Sequence, residues 1–164
     1  MLKVTVQNAI NEQIKNELYS AYLYLAMSAH FESQGLPGFA SWTRMQANEE
    51  VEHAMKLFDY VNERSGRVVL EVIEKPPVEY GSPVEVFEMI LTHEQKVTGL
   101  IHKLYEIAKN ENDYATEIML HWFIAEQVEE ESNSGMMVDQ LKMAGDHKAA
   151  ILHLDRYAGK RTAE

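Results

Sequence analysis

Apolar residues recur at three- and four-residue intervals over four long stretches of the chain. Leu18, Tyr22 and Leu25 share one face, as do Ile90, Val97, Ile101 and Leu104, the spacing of a helix packed along one side. Turn residues punctuate these stretches. Gly35-Leu36-Pro37-Gly38 is a compact break, with Pro37 suited to a first helical turn, and Ser65-Gly66 closes the next stretch with Gly66 as the expected left-handed terminator. Ser82, Pro83 and Glu85 read as N-cap, N1 and N3 of a capping box, Asp113 as a further N-cap, and Gly145-Asp146 as a final break. The pattern predicts an all-α chain with helices over 5–34, 38–65, 83–109 and 113–144, and a short fifth over about 147–158. At 1.5 Å per residue the long ones reach about 40 Å.

Short breaks join the first pair and the second pair into antiparallel hairpins. The link between the pairs is longer, about 17 residues, and carries the β-friendly run Arg67-Val68-Val69-Leu70 and the prolines Pro76 and Pro77. Extended, it covers up to about 55 Å. It can therefore run the length of the bundle and start the third helix beside the start of the second, a crossover known in four-helix bundles. One domain over residues 1–164 is expected, with the bundle over 5–144.

Polar residues placed within these helices repeat at a fixed offset. Glu49-Glu50-Val51-Glu52-His53 on the second helix corresponds to Glu126-Gln127-Val128-Glu129-Glu130 on the fourth, 77 residues later, and Glu17 and Glu94 are also 77 apart. Folded about a pseudo-twofold axis, the four positions converge at mid-bundle. Glu50 and His53 lie three apart, able to hold one ion together, while Glu17 and Tyr24 lie seven apart on one face. Carboxylates buried together repel one another unless protonated or neutralised by cations. Oxygen-rich ligation with a single imidazole suits Fe or Mn, and Zn would also bind. Taken singly, Glu-x-x-His or the acid run Glu129-Glu130-Glu131 is common on a solvated helix face. The joint occurrence, at one spacing, is what favours a metal site. His30, His93, His102, His121, His147 and His153 have no such pattern and read as surface or structural groups.

Composition narrows the rest. Acids outnumber bases 26 to 15, a net charge of −11 that disfavours nucleic acid as a partner. There is no cysteine, which removes disulfides, zinc fingers and thiol nucleophiles and fits a reducing compartment, so a cytoplasmic location is expected. The start, Met1 to Asn8, has no long apolar region, and no apolar run approaches the roughly 20 residues of a membrane span.

Across essentially its whole length the chain resembles the non-haem ferritins of bacteria and archaea. The resemblance runs through Glu17-Leu18-Tyr19-Ser20-Ala21-Tyr22-Leu23-Tyr24-Leu25, Glu49-Glu50-x-x-His53-Ala54-x-Lys56, Glu74-x-Pro76-Pro77, His93-Glu94, Trp122-Phe123-x-x-Glu126-Gln127-x-Glu129-Glu130-Glu131 and Leu154-Asp155-Arg156. It implies a ferritin-like bundle with a short C-terminal helix, and a ferroxidase that oxidises Fe(II) with O2 or H2O2 and stores ferric mineral in a homo-oligomeric shell of 24 subunits. By the same resemblance Glu17, Glu50 and His53 hold a first iron, with Glu50 bridging. Glu94 and Glu130, with Gln127 nearby, serve a second. Glu49, Glu126, Glu129 and Glu130 form a weaker third site. Tyr24 stands beside the centre as electron donor or hydrogen-bond partner, and Trp122 is similarly placed. Two to three irons per subunit are thus implied. Val51 and Gln127-x-x-Glu130 stand where haem-binding relatives carry Met and Glu-x-x-His, so no haem is expected. The same Gln127-x-x-Glu130 and the lack of cysteine separate the chain from the alternative, a rubrerythrin-like di-iron peroxidase without mineral storage. Ser132-Asn133-Ser134-Gly135 is expected to kink the fourth helix, since a mid-helix Gly costs about 1 kcal/mol relative to Ala.

Overall fold

The computed structural model describes residues 1–161 and contains five helices: α1 (Val4–Ser33), α2 (Pro37–Glu63), α3 (Pro83–Asn110), α4 (Tyr114–Ala144) and α5 (Lys148–Ala158). Their ends are set by local chemistry. Three of the long helices close with a residue in the left-handed conformation: Gly35 (φ 70°) after α1, Ser65 (φ 55°) after α2 and Asn112 (φ 55°) after α3. In each, that residue's own amide and the one after it reach back to the last turn, as in Gly66 N–H to Val61 O at 2.8 Å and Asp113 N–H to Ala108 O at 2.9 Å. The left-handed position after α2 is therefore Ser65 and not Gly66, contrary to expectation. Gly66 is closely approached: a Cβ there would lie 3.0 Å from Val61 and from Gln7.

The starts follow the sequence closely. Glu85 accepts from the Ser82 amide at 2.7 Å, Asp113 Oδ1 accepts from Thr116 N–H at 3.2 Å, and Pro37 and Pro83 occupy first turns. Helix α4 runs through Ser132–Gly135 without interruption. Ser134 is buried and its hydroxyl donates to Glu130 O at 2.7 Å, satisfying itself on its own helix. A Cβ at Gly135 would touch nothing within 4 Å.

The helices pack as two hairpins, α1 on α2 and α3 on α4. Ser20 meets His93 while Phe31 meets Phe87, so α1 and α3 are antiparallel; Gln46 meets Glu130 while Tyr60 meets Thr116, so α2 and α4 are too. The link between the hairpins has no strand. It starts beside Gln7, whose Oε1 accepts from Arg67 N–H at 2.8 Å, and ends beside His30, whose ring packs on Tyr80. That is about six turns of α1, or roughly 35 Å, so the link is the crossover expected of it. Its backbone hydrogen bonds go to α1 side chains, Asn11 donating to Arg67 O at 3.1 Å, and no neighbouring strand lies alongside it.

Helix α5 turns back onto the start of α2. Buried Asp155 accepts from Phe39 N–H at 2.8 Å and so caps α2 from 116 residues away. Only a glycine fits where the two meet, since a Cβ on Gly38 would lie 1.7 Å from Asp155 O.

The apolar core falls into two parts. One end holds Tyr24, Met27, Phe31, Phe39, Trp42, Phe87 and Ile90; the other holds Ile10, Ile14, Leu57, Val61, Val97, Ile101, Leu120 and Phe123. The stretch between them is polar.

Candidate metal centre

Each long helix places its buried polar residues where the two core clusters separate. Glu17 comes from α1, Glu50 and His53 from α2, Glu94 from α3, Gln127 and Glu130 from α4, and every one is at most 5% exposed. This is the belt the 77-residue offset predicts. Donor atoms of Glu17, Glu50 and His53 all lie within 4.8 Å of one another, a group able to hold a metal ion. Glu94 accepts from the Tyr24 hydroxyl and from Gln127 Nε2 at 3.1 Å. Glu130 Oε2 accepts from Gln46 Nε2 at 2.8 Å.

The satisfied oxygens leave a remainder. Glu17 Oε1 accepts from Gln13 at 2.8 Å, but Glu17 Oε2 and Glu50 Oε2 are buried with no hydrogen-bond partner. Glu50 Oε2 lies 3.4 Å from His53 Nδ1 without forming such a bond. Buried carboxylate oxygens without donors are costly; a proton shared between Glu17 and Glu50, or a cation that replaces it, satisfies both. Two carboxylates and an imidazole are ordinary donors for a divalent first-row ion.

Electrostatics point the same way. Burial raises the carboxyl of Glu17 to about 7 and that of Glu130 to about 8, the latter helped by neighbouring Glu94. Glu50 is pushed well above the usual carboxylate range by burial and by Glu17, and burial raises Glu94 despite the Tyr24 hydrogen bond. Burial and Lys56 lower His53 to about 4, so its imidazole is neutral and available to a metal at neutral pH. Tyr24 is held well above its ordinary value by burial and by Glu94, and stays a hydrogen-bond donor.

The remaining predicted residues lie to one side. Glu49 and Glu126 are half-buried and Glu129 is exposed. With His53, Lys56, Trp122 and Glu130 they line a cavity of about 410 Å³ that opens from the belt towards solvent. Glu126 Oε1 lies 3.8 Å from His53 Nε2. Trp122 packs edge-on against the His53 ring at 5.3 Å and carries the Lys56 ammonium 3.8 Å above its own ring.

Sequence reasoning missed the residues that orient the belt. Gln13 and Gln46 each precede a belt glutamate by four residues, on the same helix face, and that spacing could have flagged them. Their counterparts 77 residues on are Ile90 and Phe123, so the repeat supplies no second copy to reveal them. Arg161, which donates to Gln46 and Glu49, lies more than 110 residues from both and carries no local signal. His93 proves structural, as expected: it is largely buried, 2.8 Å from Ser20 Oγ, and burial lowers its pKa to about 4.

An antiparallel pair of hairpins joined by a full-length crossover, with carboxylates and one imidazole at mid-height, is the ferritin-like arrangement. The ferritin-like domain family matches residues 7–144, and the chain belongs to the ferritin family. It is 44% identical over 161 residues to a bacterial non-heme ferritin of Bacteroides fragilis, covering 98% of this chain and 100% of that one. A Staphylococcus epidermidis bacterial non-heme ferritin is 40% identical over 146 residues, covering 89% and 88%. Among solved structures, an open-pore ferritin from the hyperthermophilic archaeon Archaeoglobus fulgidus superposes with a TM-score of 0.98 at 47% identity, covering 99% of this chain and 100% of that one. A closed form of the Archaeoglobus fulgidus ferritin, engineered by mutagenesis, gives 0.98 at 46% identity with full coverage of both chains.

Proposed function

We propose that the chain is an iron-storage ferritin whose belt oxidises Fe(II), with O2 or H2O2 as acceptor, and whose copies assemble into a 24-subunit shell that holds the ferric product. The observation that carries this is the pair of buried, partnerless oxygens on Glu17 and Glu50 beside neutral His53. Their donor atoms lie within 4.8 Å of one another, in a belt where Glu94 and Glu130 supply two more carboxyls. Non-heme ferritin relatives at 40–44% identity support the choice of iron over the other metals the donors accept.

On this reading Glu17, Glu50 and His53 bind the first Fe(II), and Glu94 and Glu130 the second, with Gln127 supporting Glu94. Holding both ions in one buried belt lets each give up one electron to the same acceptor. Two electrons and two protons convert O2 to H2O2, or H2O2 to two waters. The carboxyls of Glu17 and Glu130 hold protons near neutrality, and shed them as Fe(II) binds. Tyr24 keeps one Glu94 oxygen committed, which fixes that carboxylate's orientation. Glu49, Glu126 and Glu129 form the next acidic station, in the cavity beside the belt.

Assembly has its own support. Tyr22 and Leu25 on α1 and Leu70, Val72 and Val78 on the crossover are apolar and 46–84% exposed, an apolar face that a second subunit would cover. Helix α5 would line a symmetry axis. A cytoplasmic location goes with this reading, and no described helix is long and apolar enough to cross a membrane.

Adding Fe(II) in air, following ferric absorbance and sizing the product tests the whole reading. Glu17→Ala and His53→Ala are expected to lose rapid oxidation while still assembling. A wild-type product that stays monomeric, or that turns over only two irons per subunit, overturns storage and leaves the rubrerythrin-like alternative.

A further inference from the structure

The cavity beside the belt already holds a positive charge of the chain's own. Past the end of α5, Arg161 turns inward: its Nη2 lies 2.8 and 3.2 Å from the two Glu49 oxygens, and its guanidinium sits 5.0 Å from the centre of the Trp42 ring. Nη1 donates to the Oε1 of Gln46, which is fully buried. Arginine has no acceptor, so this contact turns the Gln46 oxygen towards Arg161 and its amide nitrogen towards Glu130. The nitrogen indeed donates to Glu130 Oε2 at 2.8 Å. The arrangement is a relay from a half-buried acid on the cavity wall, through arginine and glutamine, to a carboxylate of the belt. The Arg161 charge also lowers the Glu130 pKa against the pull of burial.

We propose that Arg161 is a positioning residue: it occupies Glu49 in place of a third metal ion and, through Gln46, holds Glu130 turned for the paired centre. A cation at Glu49 competes with the guanidinium for the same two oxygens, and displacing it releases the far end of the relay. The C-terminal segment is thus a tethered competitor for metal at the outer acidic station. The inference rests on the proposed reading of Glu130 as a ligand of the centre.

The test is a calorimetric titration of the assembled, iron-free protein with Zn(II), which has no redox chemistry, in wild type, Arg161→Ala and Arg161→Lys. Wild type is expected to bind two Zn(II) tightly and a third more weakly. Because the Arg161–Glu49 pair is partly solvated, its loss is expected to tighten the third ion by about tenfold, with the first two altered less than threefold. Arg161→Lys keeps the charge but not the fork, and about a threefold tightening is expected; it also serves if the alanine variant fails to assemble. Crystals of the Zn(II)-loaded wild type should show Arg161 withdrawn from Glu49. An unchanged third affinity in both variants, or Arg161 still on Glu49 with a third Zn(II) bound, overturns the role of Arg161 alone. A wild type without two tight ions overturns the proposed centre and this inference with it.

Discussion

Protons should leave the belt when metal enters it, in a number the structure sets. With Glu17 titrating at about 7 and Glu130 at about 8, the two hold together about one and a half protons per subunit at pH 7, against almost none at the carboxylates' ordinary values. A bound cation needs both ionised. Saturating the iron-free protein with Zn(II) at pH 7 should therefore release about one and a half protons from these two groups, and Glu50 and Glu94, also raised, can only add to that. His53, lowered to about 4, is already neutral and releases none.

The sign has a direct consequence for affinity. As pH falls from 7 to 6 the native carboxyls take up protons the metal must then expel, so the overall constant for binding both Zn(II) ions should fall by about 50-fold from Glu17 and Glu130, about fivefold at the first ion and about ninefold at the second. The same raised values destabilise the iron-free fold as pH rises from about 4.5 through 8, because over that window the unfolded chain has lost protons that the native one retains. The assay is calorimetry in two buffers of different ionisation enthalpy at the same pH, which counts protons exchanged per ion bound. Release near zero at pH 7, or an affinity flat between pH 6 and 7, would refute the claim that burial keeps these carboxyls protonated.

Other outcomes follow from single contacts. Tyr24→Phe removes the donor that fixes Glu94 and should slow Fe(II) oxidation without changing shell size, read by stopped-flow absorbance and chromatography; an unchanged rate would show that the hydrogen bond is not needed. Gly38→Ala places a Cβ 1.7 Å from Asp155 O and should destabilise by about 1–3 kcal/mol as α5 is pushed away, visible as a lower melting temperature. Asp155→Ala should cost about 1 kcal/mol through loss of the α2 cap, and double with Gly38→Ala less than additively, since both act at one contact. Arg64→Ala breaks the pair to Asp113, at 3.0 and 3.2 Å, and should destabilise by up to about 1 kcal/mol, an effect expected to shrink in high salt.

What was legible in the sequence was whatever repeats or sits next to its partner in the chain. The helix spacing, the capping box at Ser82 and the 77-residue offset all lie within a few residues or recur, and the belt of Glu17, Glu50, His53, Glu94, Gln127 and Glu130 formed where they placed it. Errors arose where a residue type had two uses. Gly66 reads as a left-handed terminator, but Ser65 adopts that conformation and Gly66 lies close against Val61 and Gln7. The run Arg67-Val68-Val69-Leu70 forms no strand because a strand needs a partner, and the Arg67 amide and carbonyl bond to α1 side chains instead. Arg161 was invisible because only the return of α5 onto Gly38 brings it to Glu49.

Charge balance explains why an outer station belongs beside such a belt. If all four belt glutamates are ionised, Glu17, Glu50, Glu94 and Glu130 carry four negative charges, which neutralise two Fe(II) within a buried site. In the proposed reaction, oxidation would leave two Fe(III), and thus two positive charges in excess, in surroundings where unbalanced charge is costly. Oxygen ligands or departure must relieve that excess, and acids closer to solvent offer a way out. Glu49, Glu126 and Glu129 occupy that position, sharing a cavity with Glu130. Arg161 on Glu49 reduces the negative charge of this station while the belt is filling. A third cation then has to compete with it, so loading of the inner pair should precede occupation of the outer site. Substituting Arg161 should blur that order, with the outer site filling at lower metal loading.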